Sequence, residues 1–172
     1  YGIDSIHGAH YTSGATIFPQ SLAMASSWNT EASRRSGEIT ALETRRTGIP
    51  WNFFPVLDVG RQPLWSRLYE TYGEDVYLAQ EMGKANILGQ QGQEKRQLAD
   101  SSHVLACMKH FVGYSFPWSG KDRTPAIITE KMMREIFLPT FEAAVAVGAE
   151  TLMVNSGEVD GIPGHANYHL LT

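Results

Sequence analysis

A single cysteine, Cys107, stands in the whole chain, which excludes an intrachain disulfide and leaves the redox compartment open. Nowhere do about 18 apolar residues run together, so the sequence carries no membrane-span signal. It has no cluster of Lys and Arg either. Fourteen basic residues against 18 acidic ones give a formal charge of −4, and without a basic footprint nucleic acid is not an expected partner. The GxxxxGK[ST] phosphate loop, the GxGxxG fingerprint and the GxSxG nucleophile turn are all missing. The usual signals of nucleotide binding and serine hydrolysis go with them. The opening Tyr1-Gly2-Ile3-Asp4 lacks the basic and apolar regions of a signal peptide. What is present is 42% apolar and 19% charged over 172 residues, the composition of a packed core and the length of one domain or of a piece of a larger one.

Short apolar runs alternate with longer helix-like segments. Residues 51–59 (WNFFPVLDV), 104–111 (VLACMKHF) and 151–155 (TLMVN) read as buried strands, and residues 1–3 fit the tail of another. Between them lie three expected helices. Residues 29–47 open on the capping types Asn29 and Thr30 and stop at Gly48, with Ala32, Ile39, Ala41 and Leu42 expected on the buried face. Residues 75–91 open on Asp75 and end before Gly92. Residues 129–147 open on Thr129, place Met133, Ile136, Phe137 and Phe141 at helical spacing, and carry Pro139 as an expected kink. Strand starts recur about every fifty residues, the rhythm of βα units around a mainly parallel sheet covered on both faces. Three or four such strands cannot close a barrel, which typically needs about 250 residues. The fold class is α/β, as an incomplete set of βα units.

The polar residues of interest sit where these strands end. Lys109 and His110 follow five apolar residues. A lysine there either faces a polar pocket or is solvated at the rim, and the histidine is either a ligand or part of the core. The stretch Arg61–Asp75 gathers Arg, aromatic and acidic side chains. Arg67 offers a fork of donors suited to hydroxyls or a carboxylate, and Trp65, Tyr69 and Tyr72 offer flat faces for a sugar ring. The competing reading is a loop held by internal Arg–Glu pairs with its aromatics in the core. His7 with His10, and His165 with His169, have short spacings but no helical HExxH context, so a metal site is the minority reading.

Taken in order, YGIDSIHG, GATIFPQSLAMASSWN, FFPVLDVGRQPLWSRLYETYGEDVYL, KHFVGYS and LMVNSGEVDGIPGHAN…LLT resemble the N-terminal barrel domain of glycoside hydrolase family 3, the β-glucosidase family. The match runs from one end of the chain to the other, and is most specific at residues 65–78 and 109–111. The resemblance implies a partial TIM-like (β/α)8 barrel, with residues 1–172 forming part of the N-terminal domain of a larger glycoside hydrolase. It also implies a retaining exo-acting β-glycosidase that needs no metal and no cofactor. Its ligand would be a β-glucoside or β-glucan oligosaccharide, and its location periplasmic or secreted. By the same resemblance the terminal sugar is gripped by Asp4, Arg67, Lys109 and His110, with Met153 beside them and Trp65, Ser156 and Glu158 as further candidates. Asp accepts two hydroxyl bonds while Arg and Lys donate charge-assisted ones.

Some positions depart from the family pattern. The common Asp-Pro-Arg-Trp-Gly-Arg reads Gln62-Pro63-Leu64-Trp65-Ser66-Arg67 here. Ser156 stands where many members carry a Tyr that contacts the nucleophile. The loop 112–117 lacks the His of the family's β-N-acetylhexosaminidases, which weakens that alternative. The family's nucleophile Asp and acid/base Glu have no match among Asp58, Glu70, Glu74, Asp75, Asp122 and Glu158. The expectation is therefore that both catalytic carboxylates, the remaining barrel strands and a second domain lie outside this chain, in cis or on another chain. A non-catalytic sugar-binding fragment is the reading of another class.

Overall fold

The computed structural model describes residues 1–172, apart from the side chains of Lys95 and Arg96. Four parallel strands form one sheet in sequential order: β1 (Gly2–Ile3), β2 (Trp51–Asn52), β3 (Leu105–Phe111) and β4 (Thr151–Val154). Helices α1 (Ser21–Ala25) and α2 (Thr30–Arg46) connect β1 to β2, and α3 (Val76–Gln91) connects β2 to β3. Helices α4 (Glu130–Met132) and α5 (Pro139–Ala146) connect β3 to β4. A short antiparallel hairpin, β5 (Glu158–Val159) with β6 (Ile162–Pro163), and the single turn α6 (Tyr168–Leu171) follow. This order and sense are those of consecutive βα units of a TIM-like barrel. β1 and β4 are the sheet's two edges.

Local chemistry sets the helix boundaries. The Asn29 side chain accepts the Ala32 N–H at 3.0 Å and Asp75 accepts the Leu78 N–H at 2.7 Å, satisfying amides that have no partner inside the helix. Gly48 and Gly92 close α2 and α3 at φ +84° and +79°, a conformation glycine adopts without cost.

Three sequence expectations are corrected. Residues 51–59 pair regularly only at Trp51–Asn52, because Pro55 has no N–H to give the ladder. The segment still lies against β3, through Lys109 N–H to Pro55 O at 3.0 Å and Leu57 N–H to Lys109 O at 2.7 Å. The helix expected over 129–147 breaks into α4, a wide turn over Met133–Phe137 and α5. Pro139 cannot donate to the preceding turn, and the Leu138 N–H reaches back five residues to Met133 O instead. Finally, the buried face of α2 is Ser33, Ser36, Gly37, Thr40, Ala41 and Thr44, while Ala32 and Ile39 are half-buried and Leu42 is exposed. Small residues are needed there because α3 crosses closely: a Cβ on Gly37 would lie 2.6 Å from Asn86 O, and one on Gly89 would overlap Arg34 O.

The core lies between sheet and helices and is built from Val56, Leu57, Met82, Ile87, Met108, Val112, Phe137 and Phe141. Within it runs a polar network. Asn52 accepts the Ser5 N–H at 2.8 Å and donates to Ser5 O at 3.1 Å and to Gln90 at 2.9 Å, and Gln90 donates to Asn86 at 2.6 Å. Every bond of this network is buried, so it fixes the backbone beside Asp4 at the end of β1.

Candidate active site

The expected site residues sit at the carboxyl ends of the strands, the face that carries the active site in (β/α) barrels. Asp4 follows β1, Lys109 and His110 lie on β3, and Met153 lies on β4; Asp58, which was not among them, ends the extended run after β2. Lys109 is the least expected of these in an apolar strand, since a buried ammonium must be paired. Its side chain is 3% exposed, and its Nζ donates to Asp4 Oδ1 at 2.5 Å. Asp4 is 47% exposed on its side chain, so the pair has a buried cation and an open anion. Neighbouring residues of a regular strand project to opposite faces. β3 departs from regular register between Lys109 and Phe111, and such an irregularity re-aims side chains. Lys109 thus reaches the β1 loop while His110 reaches the β2 loop.

His110 meets Asp58. The Asp58 Oδ2 accepts the His110 backbone N–H at 3.0 Å and lies within hydrogen-bond distance of His110 Nδ1, at 2.7 Å. Both side chains are buried, at 5% and 1% exposure. The ring packs edge-on against Tyr114, 4.8 Å between centroids. Tyr114 also receives Trp65 at 5.2 Å and carries the Arg67 guanidinium 5.6 Å from its ring centroid. One tyrosine therefore joins the β3 end to the loop of residues 61–75.

Arg67 is held by Glu70 through two parallel bonds of 2.7 Å from Nε and Nη2, i to i+3 on the short turn Leu68–Glu70. Burial works against the Arg67 charge, but the Glu70 carboxylate outweighs it and holds the guanidinium above its ordinary range. The sequence left two readings of this stretch, a ligand arginine and an internally paired loop. The pair is present, and it leaves Arg67 23% exposed on the same side chain. The aromatic faces fall mostly to the core. Trp65 and Tyr72 are each 2% exposed, and the Trp65 indole N–H donates to Asp122 at 2.9 Å. Of the two readings of these aromatics, core membership holds for Trp65 and Tyr72, whereas Tyr69 is 47% exposed. Burial works against Asp122 as an anion, but the Trp65 N–H and the Arg67 and Arg123 charges hold it below the usual carboxylate range.

The structure thus gathers Asp4 with Lys109, His110 with Asp58, and Arg67 with His110 through Tyr114. Met153 is half-buried, in register with Lys109. Ser156 is exposed and Glu158 is half-buried on the hairpin, and among the described residues no hydrogen bond or ion pair ties either to the cluster. His7 and His10 stack on each other at 4.9 Å and bond backbone carbonyls. Among the described residues no three His, Cys, Asp or Glu groups gather as metal ligands would. Asp58 and Tyr114 are the members that sequence reasoning undervalued. The available signal for Asp58 was a lone carboxylate closing an apolar run, which must be buried with a partner.

The model of the glycosyl hydrolase family 3 N-terminal domain matches residues 1–172. A lysosomal beta glucosidase of Dictyostelium discoideum is 49% identical over 100% of this chain and 21% of its own length. A beta-xylosidase of Formosa agariphila is 38% identical over 99% and 24%, and a periplasmic beta-glucosidase of Salmonella typhimurium is 31% identical over 99% and 21%. The structure of a Listeria innocua beta-glucosidase mutant in complex with laminaribiose superposes at a TM-score of 0.92, with 34% identity over 98% of this chain and 23% of that one. The chain spans about a fifth to a quarter of the length of these relatives. Motifs, strand order and matches agree, and the chain belongs to glycoside hydrolase family 3 through its N-terminal domain.

Proposed function

We propose that the intact protein removes terminal non-reducing β-D-glucosyl residues from β-glucosides or β-glucan oligosaccharides, with this chain supplying part of the site for the terminal sugar. The observation that carries the reading is the Lys109–Asp4 pair, a buried ammonium and a half-exposed carboxylate, next in sequence to His110, which Tyr114 joins to Arg67. Such a set offers charge-assisted donors and an acceptor to adjacent hydroxyls, fixes the ring, and strengthens as oxocarbenium character develops. The chemistry is the retaining two-carboxylate mechanism, in which one carboxylate attacks C1 while an acid protonates the departing oxygen; water, giving its proton to that same residue now acting as base, then attacks C1 and releases the carboxylate. Carboxylates of this chain serve other ends: Asp4, Asp58, Glu70 and Asp122 are each engaged by Lys109, His110, Arg67 and Trp65. Nucleophile and acid/base are assigned to the rest of the intact protein, along with the remaining strands and second domain. Among the described residues no helix is long and apolar enough to cross a membrane, and a periplasmic or secreted location fits the periplasmic relative.

The beta-xylosidase relative supports a second reading in which the terminal sugar is xylose, which lacks the C6 hydroxymethyl group. Aryl β-glucoside and β-xyloside assayed side by side on the intact protein separate the two. The glucoside is expected to have the larger kcat/KM and to release β-glucose first, read by NMR of the nascent product. A larger value for the xyloside, or release of α-glucose, would contradict the proposal.

A further inference from the structure

We propose that Asp58 is a positioning residue that holds His110 as the Nδ1–H tautomer, leaving Nε2 as a lone-pair acceptor for a hydroxyl of the terminal sugar. The inference rests on the glycosidase reading above. One carboxylate oxygen, Asp58 Oδ2, meets both the ring Nδ1 at 2.7 Å and the main-chain N–H of the same residue at 3.0 Å, so ring and backbone are tied to a single point.

Burial decides which atom carries the proton. Asp58 is 1% exposed on its side chain, and its other oxygen, Oδ1, has no hydrogen-bond partner. Among the described residues His110 is the only residue whose hydrogen bonds reach this carboxylate. A bare Nδ1 facing it would set two lone pairs against each other at 2.7 Å in a buried site, where unpaired polar groups are most costly. Nδ1 must therefore bear hydrogen. Nε2, on the opposite edge of the ring, makes no hydrogen bond to the described residues. The Tyr114 ring walls the imidazole edge-on and opposes a flip. The other charged groups nearby are spoken for: Arg67 lies across Tyr114 and is paired to Glu70, and Lys109 is paired to Asp4.

The consequence is a division of labour among hydroxyl contacts. Arg67 and Lys109 can only donate. A sugar hydroxyl that accepts from one of them still has a proton to place, and a neutral Nε2 takes it. Asp58 would act as the carboxylates behind metal-ligating histidines do, by fixing ring orientation and tautomer.

The test uses the intact protein with ¹⁵N-labelled histidine, the His110 ring signals assigned by their loss in His110→Gln. Nδ1 protonated and Nε2 bare is expected in the wild type at neutral pH. In Asp58→Leu the acceptor facing Nδ1 is gone and Nε2–H becomes populated, whereas in Asp58→Asn the amide oxygen can stand in the place of Oδ2, keep both contacts and preserve the wild-type tautomer. Activity on an aryl β-glucoside should fall about ten- to a hundredfold in kcat/KM in Asp58→Leu, mostly in kcat, and less in Asp58→Asn. Nε2–H in the wild type overturns the proposal, as does Asp58→Leu that populates Nε2–H and keeps kcat/KM within twofold. Should Asp58→Leu not fold, the wild-type and Asp58→Asn ring signals decide. Failure to hydrolyse any β-glycoside would overturn the functional reading instead, and the tautomer would still show whether Asp58 sets the His110 proton.

Discussion

Replacing Lys109 by Met keeps the buried stem and removes the ammonium, which separates the two tasks assigned to this residue. Its partner Asp4 is 47% exposed, so water can resolvate the orphaned carboxylate. The stability cost is then about 1–2 kcal/mol, below the roughly 3–5 kcal/mol seen when one member of a fully buried pair is removed. The catalytic cost is larger. A charge-assisted bond to a sugar hydroxyl is worth about 1.5–3 kcal/mol, which at about 1.4 kcal/mol per decade is about 10–150-fold in kcat/KM. Because Asp4 also loses the donor that orients it, that range is a floor. Asp75→Ala is the control: it removes the α3 cap, whose carboxylate sits 2.7 Å from the Leu78 N–H, at about 1 kcal/mol of stability and no loss of kcat/KM. The assay is thermal melting and aryl β-glucoside kinetics on the intact protein. Near-normal kcat/KM in Lys109→Met, with catalysis lost in Asp75→Ala, would refute the placement of the site.

Further outcomes follow from the same structure. Gly89→Ala forces a methyl against the Arg34 carbonyl at the α2–α3 crossing and should destabilise by about 1–3 kcal/mol, read by chemical denaturation. Asn52→Ala strips partners from Ser5 and Gln90 and should cost about 2–3 kcal/mol, with some loss of activity through Asp4. Asp122, held ionised below the usual carboxylate range, adds stability above its ordinary pKa that is lost as pH falls through its lowered value. The melting temperatures of wild type and Asp122→Asn should therefore differ at neutral pH and converge in acid below the ordinary carboxylate range. The 172-residue chain by itself leaves Val145 and Leu152 exposed, at 59% and 43%, beside the edge strand β4. It should associate or melt without a sharp transition, and a monomer with a cooperative melt would contradict this.

The parts of the fold legible in the sequence were those governed by local chemistry. Asn29, Asp75 and Thr129 cap helices where their side chains suggested, and the apolar runs 105–111 and 151–154 are strands. What failed was governed by partners. The buried face of α2 is hydroxylic and small because α3 crosses it closely, which no periodicity of Ile39 and Leu42 can report. Trp65 and Tyr72 were open in sequence between sugar platform and core, and packing places both in the core. Asp4, Arg67, Lys109 and His110 came from the family resemblance, and the structure adds what each is tied to. The Asp58–His110 contact joins residues 52 apart in sequence, beyond the reach of any local pattern.

The central claim is that Asp4, Arg67, Lys109 and His110 grip one sugar ring. A crystal structure of the intact protein with glucose bound tests it most directly. The predicted result is one glucose whose hydroxyls lie within hydrogen-bond distance of Asp4, Lys109 and His110 Nε2, with Arg67 on the same ring. Glucose bound away from the strand ends, or contacted there by Glu158 and Ser156 while Lys109 stays paired only to Asp4, would contradict it.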